Sequence, residues 1–175
     1  MNVWKDFNKD RIKPEDFIVY IEIEKGCKNK YEMDKETGLI ILDRVLFTST
    51  HYPMNYGFIP LTLSEDHDPL DVFVLCSQPI EKMSLVRCYP IGIIKMKDRE
   101  EMDEKLIAIP FGDPQYNEYK DISELPSHIM EELTHFLSVY KQLENKKVEI
   151  LFTGGAGDAK KTIEESMKYF EKNIK

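Results

Sequence analysis

Residues 17–24 have the sequence FIVYIEIE, in which every odd-numbered position is apolar. The even-numbered positions carry Ile18, Tyr20, Glu22 and Glu24. Side chains of an extended chain point alternately to opposite faces, so this period of two predicts a β-strand with one fully apolar face. The fold is therefore expected to begin with a strand of a sheet.

Further strands are predicted after this stretch. Residues 30–34 and 39–44 flank the turn Lys-Glu-Thr-Gly at 35–38 and together indicate a β-hairpin. Three more apolar segments have the length and composition of strands, at residues 72–76, 86–96 and 106–110. The first two thirds of the chain are thus predicted to be mainly β.

The last third of the chain changes to a helical period. Apolar residues recur at helical spacing after Pro126: Ile129, Leu133, Phe136, Leu137 and Tyr140. A second helix is predicted to start at Asp158 as its N-cap and to bury the stripe of Ile163, Met167 and Phe170. The Gly-rich segment 154–157 is predicted to be a flexible loop. It is given no phosphate-binding role because it lacks the Gly-Lys-Ser/Thr ending of a P-loop.

Short strands followed by two helices predict an α+β fold, mainly β. We expect a closed or nearly closed barrel with flanking C-terminal helices. No repeat, low-complexity tract or linker divides the sequence, so a single domain over residues 1–175 is predicted.

Composition and charge exclude several functional classes. The chain is 42% hydrophobic and 32% charged, which is typical of a globular protein, and no apolar run approaches the ~20 residues of a membrane span. The net charge of −8 argues against a broad nucleic-acid-binding face. The N-terminus shows no signal region, and three cysteines without a CxxC pair favour a reducing cytoplasm.

The segment at residues 65–71, EDHDPLD, carries the strongest chemical signal and leads directly into a predicted strand. Its four carboxylates repel one another unless cations bind or water reaches them. Hard ions such as Mg²⁺ prefer carboxylate oxygens, and Pro69 restricts the backbone that carries the flanking aspartates. The segment is therefore a candidate magnesium site, with a solvated acidic turn as the alternative.

Spacing excludes two other kinds of metal site. An EF-hand loop starting at Asp66 needs Gly at its sixth position and Glu at its twelfth, where this chain has Asp71 and Ser77. A zinc site needs more imidazole or thiolate ligands than His67 alone. A second acidic segment, DREEMDEK at residues 98–105, is by itself predicted to be an exposed loop between strands.

Segment 65–71 resembles the Asp-x-Asp-Pro-x-Asp signature of the family I soluble inorganic pyrophosphatases. Other segments resemble that family in the same order: KYE at 30–32, DR at 43–44, YPxNYG at 52–57, RC at 87–88, DxxxxDxK at 98–105 and HFxxxYK at 135–141. The resemblance runs from about residue 17 to about residue 147, and the short chain is similar to the prokaryotic type.

The resemblance implies a five-stranded OB-like barrel with an acidic cavity, in which a metal-activated water hydrolyses pyrophosphate to two phosphates. About three or four Mg²⁺ ions are implied as cofactors, with Mn²⁺ as an alternative. The implied metal ligands are Asp66, Asp71, Asp98 and Asp103, with Asp71 shared between two ions. The implied general base is Asp68, and the implied ligands of the phosphate oxygens are Lys30, Arg44, Tyr56, Tyr140 and Lys141. Glu22 is implied near the metals, and Lys105 in support of the bridging carboxylates.

Structural alternatives exist for the basic and aromatic members of this set. Lys30 and Arg44 are also compatible with solvated hairpin charges, and Tyr56 and Tyr140 with plain core aromatics. The resemblance further implies a homo-oligomer, commonly a hexamer.

The chain departs from the family pattern in two places. The family usually has Gly where this chain has His67, which implies a backbone with positive φ, a region that His tolerates. We expect His67 to point to solvent, with a role in the metal site as the alternative. A Gly-Trp segment of the family is replaced by Phe152 and Thr153.

Three other functions would require features that the sequence does not show. An OB-like module for single-stranded nucleic acid needs a basic groove with stacking aromatics, whereas this chain concentrates acids at the ligand position. A hydrolase of nucleoside triphosphates or organic diphosphates needs a base-stacking pocket, and the sequence indicates none. A catalytically inactive metal-binding relative is disfavoured because every matched position keeps its chemistry.

Overall fold

The computed structural model describes residues 1–174, and within them more residues lie in strands than in helices. The strands are β1 (Phe17–Ile23), β2 (Asn29–Met33), β3 (Ile40–Val45), β4 (Asn55–Phe58), β5 (Asp71–Val74), β6 (Leu85–Asp98), β7 (Glu101–Pro110) and β8 (Val148–Gly155). The helices are α1 (Ser127–Val139) and α2 (Ala156–Asn173). Three-residue 3-10 turns lie at Lys9–Arg11, Ile122–Glu124 and Gln142–Glu144.

Five of these strands close into a ring. The order is β1-β4-β5-β7-β6, and β6 pairs back with β1 in the register Phe17↔Cys88. The β5–β7 pair is parallel and the other pairs of the ring are antiparallel. The prediction of a mainly β, five-stranded barrel with C-terminal helices is therefore confirmed.

Strand β6 is 14 residues long, so its two halves can pair with different strands. Its first residues close the barrel against β1, and from Gly92 onward it pairs with β8 on the same side. From Cys88 to its end it pairs with β7. The far ends of β6 and β7 therefore form a hairpin whose tip is the two-residue turn Arg99-Glu100.

The prediction of an exposed loop over residues 98–105 was wrong, because two paired strands run through this segment. Asp98 still belongs to β6 and Glu101 already belongs to β7, with Asp98 paired to Glu101. The turn between them is unusual because neither residue is Gly, although Arg99 has φ 53 and Glu100 has φ 76. Left-handed conformations at both central positions are what a two-residue hairpin turn requires, so the strands run on through the acidic segment.

Both faces of β1 are buried, not only the apolar one. Every residue from Phe17 to Ile23 is buried, including Tyr20 and Glu22. One hydrophobic cluster joins β1 to Trp4 near the N-terminus and to Phe170 of α2. A second cluster packs α1 against the barrel. Glu22 is therefore a carboxyl group held inside the protein.

The start of α2 differs from the prediction. The N-cap is Gly155, and Asp158 is the third helical residue, whose carboxylate accepts a hydrogen bond from Gly155 N at 3.3 Å. Segment 154–157 is not a loop, because its first half ends β8 and its second half begins α2. A Cβ on Gly155 would lie 2.5 Å from Asp121 Oδ2, which accepts a hydrogen bond from Ala156 N at 2.9 Å. Two carboxylates thus cap this helix where its dipole favours negative charge.

The other predicted elements are found close to their expected positions. The β2–β3 hairpin forms a separate two-stranded sheet, joined by a turn in which Gly38 has φ 75. Helix α1 follows Pro126 and ends at its C-cap Tyr140. Within residues 1–174, no helix combines the length and the apolar composition that a membrane crossing requires.

Gly57 lies against the backbone of the neighbouring strand, and this close approach gives a test of the fold. A Cβ at Gly57 would lie 1.9 Å from the carbonyl oxygen of Tyr20 on the neighbouring strand, a backbone atom that cannot swing away. Gly57→Ala is therefore expected to lower the free energy of unfolding by at least ~2 kcal/mol in urea denaturation. The control is Gly112→Ala, where the new Cβ meets nothing within 4 Å and the change should stay within ~0.5 kcal/mol. Equal effects at the two positions would contradict the pairing of β1 with β4.

Candidate active site

A cavity of about 760 Å³ lies where four parts of the chain meet. They are the acidic loop (residues 65–71), the β2–β3 hairpin, the β6–β7 hairpin and the end of α1. All predicted site residues except Arg44 line it: Lys30, Tyr56, Asp66, Asp68, Asp71, Asp98, Asp103, Tyr140 and Lys141. Glu22 and Lys105 line it as well. Folding therefore brings the two acidic segments of the sequence to one place.

Arg44 is the predicted site residue that does not line the cavity. It lies opposite Lys30 in the β2–β3 pair. Its guanidinium is held by two carboxylates, with Nη1 2.5 Å from Asp43 Oδ2 and Nε 2.7 Å from Glu144 Oε1. Its predicted contact with phosphate stays a prediction. Lys30 does line the cavity, and its ammonium lies 2.9 Å from Glu32 on the same strand face, as the alternation predicts.

Lys105 is the buried cation at the centre of the site. Its Nζ lies 2.5 Å from Asp71 Oδ2 and 3.2 Å from Asp103 Oδ2, and it donates a hydrogen bond to Tyr56 Oη at 2.7 Å. The parallel pairing of β5 with β7 sets Asp71 directly beside Lys105, and Asp103 shares its strand face two residues earlier. Burial acts to lower the pKa of Lys105, but Asp103 and Asp71 outweigh it and raise that pKa well above its ordinary value.

Several acids around this cation resist ionisation. Burial, together with the Asp71 charge, raises the pKa of Glu22 to about 8, even though Met33 N donates to Glu22 Oε1 at 2.8 Å. Burial, together with Asp71 and Asp103, raises the pKa of Asp66 to about 7. Burial also raises the pKa of Asp103, against the opposing effect of Lys105. The protein alone therefore does not supply enough positive charge for these carboxyl groups.

The carboxylate oxygens of this lining are the type of ligand that Mg²⁺ binds. Across the described residues, no three carboxylate, imidazole or thiol groups are placed to hold one ion among themselves. Mg²⁺ keeps several waters and is usually bound by one or two carboxylates together with substrate phosphates. One acceptor is ready for such an ion: Oδ1 of Asp98 is buried and finds no hydrogen-bond partner within residues 1–174, while Oδ2 is ion-paired with Lys141.

Aromatic side chains pack beside the charged groups of the cavity. The rings of Tyr56 and Phe73 lie 4.9 Å apart, and Tyr140 stacks on Phe136 at 5.0 Å. Burial raises the pKa of Tyr56 and that of Tyr140, so both phenols keep their protons. These tyrosines are thus core aromatics that also line the cavity with protonated phenols. Tyr52, whose ring lies 5.4 Å from that of Tyr56, also lines the cavity.

The acidic loop has the backbone that its sequence implied. His67 has φ 65 and its side chain is exposed, so the predictions of a left-handed backbone and of a solvent-facing imidazole are confirmed. Asp66 Oδ1 accepts a hydrogen bond from Asp68 N at 3.1 Å, which folds the loop back on itself. The Asp68 carboxylate is half exposed on the cavity wall and is ion-paired with Lys35.

Sequence reasoning missed several charged residues of the lining: Lys35, Arg99, Glu101 and Lys146. Lys35 and Arg99 occupy the tips of hairpins, where a charged side chain is ordinarily just solvated. No local pattern marks Lys146, which lies in the connection between α1 and β8.

The family model for inorganic pyrophosphatase matches residues 19–171. This chain belongs to the inorganic pyrophosphatase family. It is 44% identical over 170 residues to soluble inorganic pyrophosphatase 2 of Chlamydomonas reinhardtii, covering 97% of this chain and 88% of that protein. It is 44% identical over 175 residues to the inorganic pyrophosphatase of Aquifex pyrophilus, covering 98% and 99%.

Among solved structures, the inorganic pyrophosphatase of Helicobacter pylori superposes with a TM-score of 0.90 at 38% identity, over 95% of this chain and 99% of that one. The predicted membership of the family is therefore confirmed. A pyrophosphatase fold accounts for the closed ring of strands and for the position of both helices.

The carboxyl group of Glu22 yields a pH-dependent prediction for this pyrophosphatase-family fold. Its pKa of about 8 in the folded protein lies above the ordinary value of 4.5, so the folded form keeps a proton that the unfolded chain loses. In chelator, the free energy of unfolding should therefore fall as the pH rises from about 5 to about 8, by an amount on the order of a few kcal/mol.

Glu22→Gln cannot ionise and should show a smaller decline in urea denaturation across that pH range. Glu24→Gln is the matched control, because Glu24 follows on the same segment but does not line the cavity, and it should keep the wild-type slope. An unchanged slope in Glu22→Gln would mean that Glu22 is already ionised in the folded protein.

Proposed function

We propose that the cavity hydrolyses inorganic pyrophosphate to two phosphates with the help of Mg²⁺. Membership of the inorganic pyrophosphatase family supports the reaction. One observation carries the proposal. The cavity is lined both by carboxyl groups whose pKa is raised and by the cations Lys105, Lys30 and Lys141. Such a site favours a multivalent anion that arrives together with cations.

The residues proposed to hold the metal ions are Asp66, Asp71, Asp98 and Asp103. When bound, Mg²⁺ supplies charge neutralisation of the pyrophosphate and lowers the pKa of an attached water toward neutrality. The unpartnered Oδ1 of Asp98 and the raised pKa of Asp66 support this assignment, because each would gain from a nearby cation. Mn²⁺ has similar oxygen preferences and is the proposed substitute.

Lys30 and Lys141 are proposed to bind phosphate oxygens where negative charge develops on the leaving phosphate. Both line the cavity and both are held by carboxylates, Lys30 by Glu32 and Lys141 by Asp98. Tyr56 and Tyr140 donate hydrogen bonds without adding charge. Arg44, the pairing partner of Lys30 in the β2–β3 hairpin, is also proposed to bind phosphate oxygens, for which its side chain must turn from Glu144 toward the cavity.

Asp68 is proposed to be the general base. A water oxygen attacks phosphorus, the bridging P–O bond breaks, and Asp68 takes the proton that the water gives up. Its carboxylate is more exposed than those of Asp71 and Asp103, so it meets incoming water first. Buried Lys105 holds Asp71 and Asp103 on the cavity wall through its two ion pairs.

The homo-oligomer, expected to be a hexamer, and the cytoplasmic location stay predictions. Several apolar side chains are exposed on β3, on β8 and near them, and these support self-association: Ile41, Leu42, Val45, Phe47, Leu143, Leu151 and Phe152.

The metal requirement is tested with a phosphate-release assay on pyrophosphate and on ATP side by side. Purified protein in excess chelator should stay folded by circular dichroism and release no phosphate. Mg²⁺ should restore pyrophosphate hydrolysis, and Ca²⁺ should do so poorly because of its larger radius and looser geometry. ATP should be a much poorer substrate. Full activity in chelator would refute the proposed mechanism.

Two substitutions separate proton transfer from metal binding. Asp68→Asn should lower kcat at least ~100-fold, while Mg²⁺ affinity by titration calorimetry changes less than ~3-fold. Asp71→Asn should weaken Mg²⁺ binding at least ~10-fold, because a shared ligand loses its charge. Glu65→Gln in the same loop does not line the cavity and should change neither quantity. If the two aspartate variants gave the same metal titration, the division of roles would be wrong.

A further inference from the structure

Lys35 contacts the proposed general base from a different part of the fold. It lies in the turn between β2 and β3, outside the barrel, and its ammonium forms an ion pair with Asp68 Oδ1. The same Nζ donates a hydrogen bond to the carbonyl oxygen of His67 at 3.2 Å. Two contacts therefore tie the tip of the hairpin to the acidic loop, and both Lys35 and Asp68 line the cavity.

The turn that carries Lys35 is ordered by its own hydrogen bonds. Asp34 Oδ2 accepts from Thr37 Oγ1 at 2.5 Å, and Asp34 Oδ1 accepts from Glu36 N at 3.2 Å. Gly38 N donates to the Asp34 carbonyl at 2.7 Å and completes the turn. The backbone of Lys35 is thus presented at a fixed place, although its side chain is half exposed.

The N-terminal segment connects this turn to residues 61–62, which precede the acidic loop. Asn2 Nδ2 donates to the Lys35 carbonyl at 3.2 Å. Two residues later the buried Trp4 donates from Nε1 to the Thr62 carbonyl at 2.8 Å, and Leu61 N donates to the Trp4 carbonyl at 2.9 Å. The Lys35 ammonium lies 6.0 Å from the Trp4 ring. One short segment therefore contacts both the turn that carries Lys35 and the residues that precede the acidic loop.

We propose that Lys35 is a positioning residue that holds Asp68 in the orientation needed to accept the proton of the attacking water. The ion pair uses Oδ1, and no hydrogen bond or ion pair within residues 1–174 engages Oδ2, which is left for the water. A half-exposed ion pair adds only ~0–1 kcal/mol to stability, so this contact matters for orientation rather than for folding. The inference rests on the proposed function, in which Asp68 is the base.

The orientation of a base affects kcat much more than substrate binding, because misplacement of a reacting group is felt in the transition state. Lys35→Met keeps the length of the side chain and removes its charge. We expect kcat for pyrophosphate to fall at least ~10-fold while KM stays within ~2-fold. Lys35→Arg restores the ion pair and should recover most of the activity. Lys5→Met is the control, since Lys5 also lies over the Trp4 ring, at 5.0 Å, but does not line the cavity.

A double-mutant cycle decides whether Lys35 acts through Asp68. In an Asp68→Asn background, Lys35→Met should lower kcat by less than ~2-fold, because there is no longer a base to orient. Calorimetric binding of Mg²⁺ with imidodiphosphate, a slowly hydrolysed analogue, should be unchanged in Lys35→Met. Urea denaturation followed by the fluorescence of Trp4, the one tryptophan of the chain, confirms that each variant is folded. Lys35→Gln serves the same purpose if Lys35→Met does not fold.

An equal loss of kcat in the wild-type and Asp68→Asn backgrounds would overturn the proposal, as would a loss confined to KM or to analogue binding. If Asp68→Asn alone left kcat unchanged, the assignment of Asp68 as the base would fail instead. The two failures are therefore distinguishable.

Discussion

The contact of Lys105 with Asp71 and Asp103 is the interaction on which the site depends. A buried ammonium needs both carboxylates, and removing one partner from such a buried group ordinarily costs ~3–5 kcal/mol. The parallel pairing of β5 with β7, one of the pairings of the closed ring, sets Asp71 beside Lys105. The acidic loop directly precedes β5. The barrel therefore places this loop next to the hairpin of β6 and β7.

The remaining acids follow from this arrangement. The basic side chains in the lining are fewer than its carboxyl groups, and burial together with mutual repulsion raises the pKa of Glu22 and that of Asp66 into the neutral range. A purely structural cluster would have been satisfied by more lysine or arginine, or kept in open water. The unmatched negative charge is therefore a property of the site and not of the net charge of −8 alone.

Much of the fold and of the site was predictable from the sequence, because the patterns that indicate them lie within short segments. The alternation at residues 17–24 gave β1, and the acidic motif with its neighbours indicated the site. Strand β4 was missed because its four residues, Asn55–Phe58, are too few for a visible period and contain Gly57, which is needed for a close backbone approach. Asp158 was misplaced because Asp121, distant in sequence, shares the capping of α2. Lys35 was missed because its partner Asp68 lies in another element, and no local pattern reports such a contact.

The central claim is that the carboxylates around Lys105 hold divalent cations against a bound pyrophosphate. A crystal structure of the chain with Mn²⁺ and imidodiphosphate tests it most directly, because the anomalous signal of Mn²⁺ locates the ions independently of the surrounding atoms. We expect anomalous peaks beside Asp66, Asp71 and Asp103, with phosphate oxygens of the analogue at Lys30 and Lys141. Peaks confined to other surfaces, or an analogue bound away from this cavity, would contradict the proposed site.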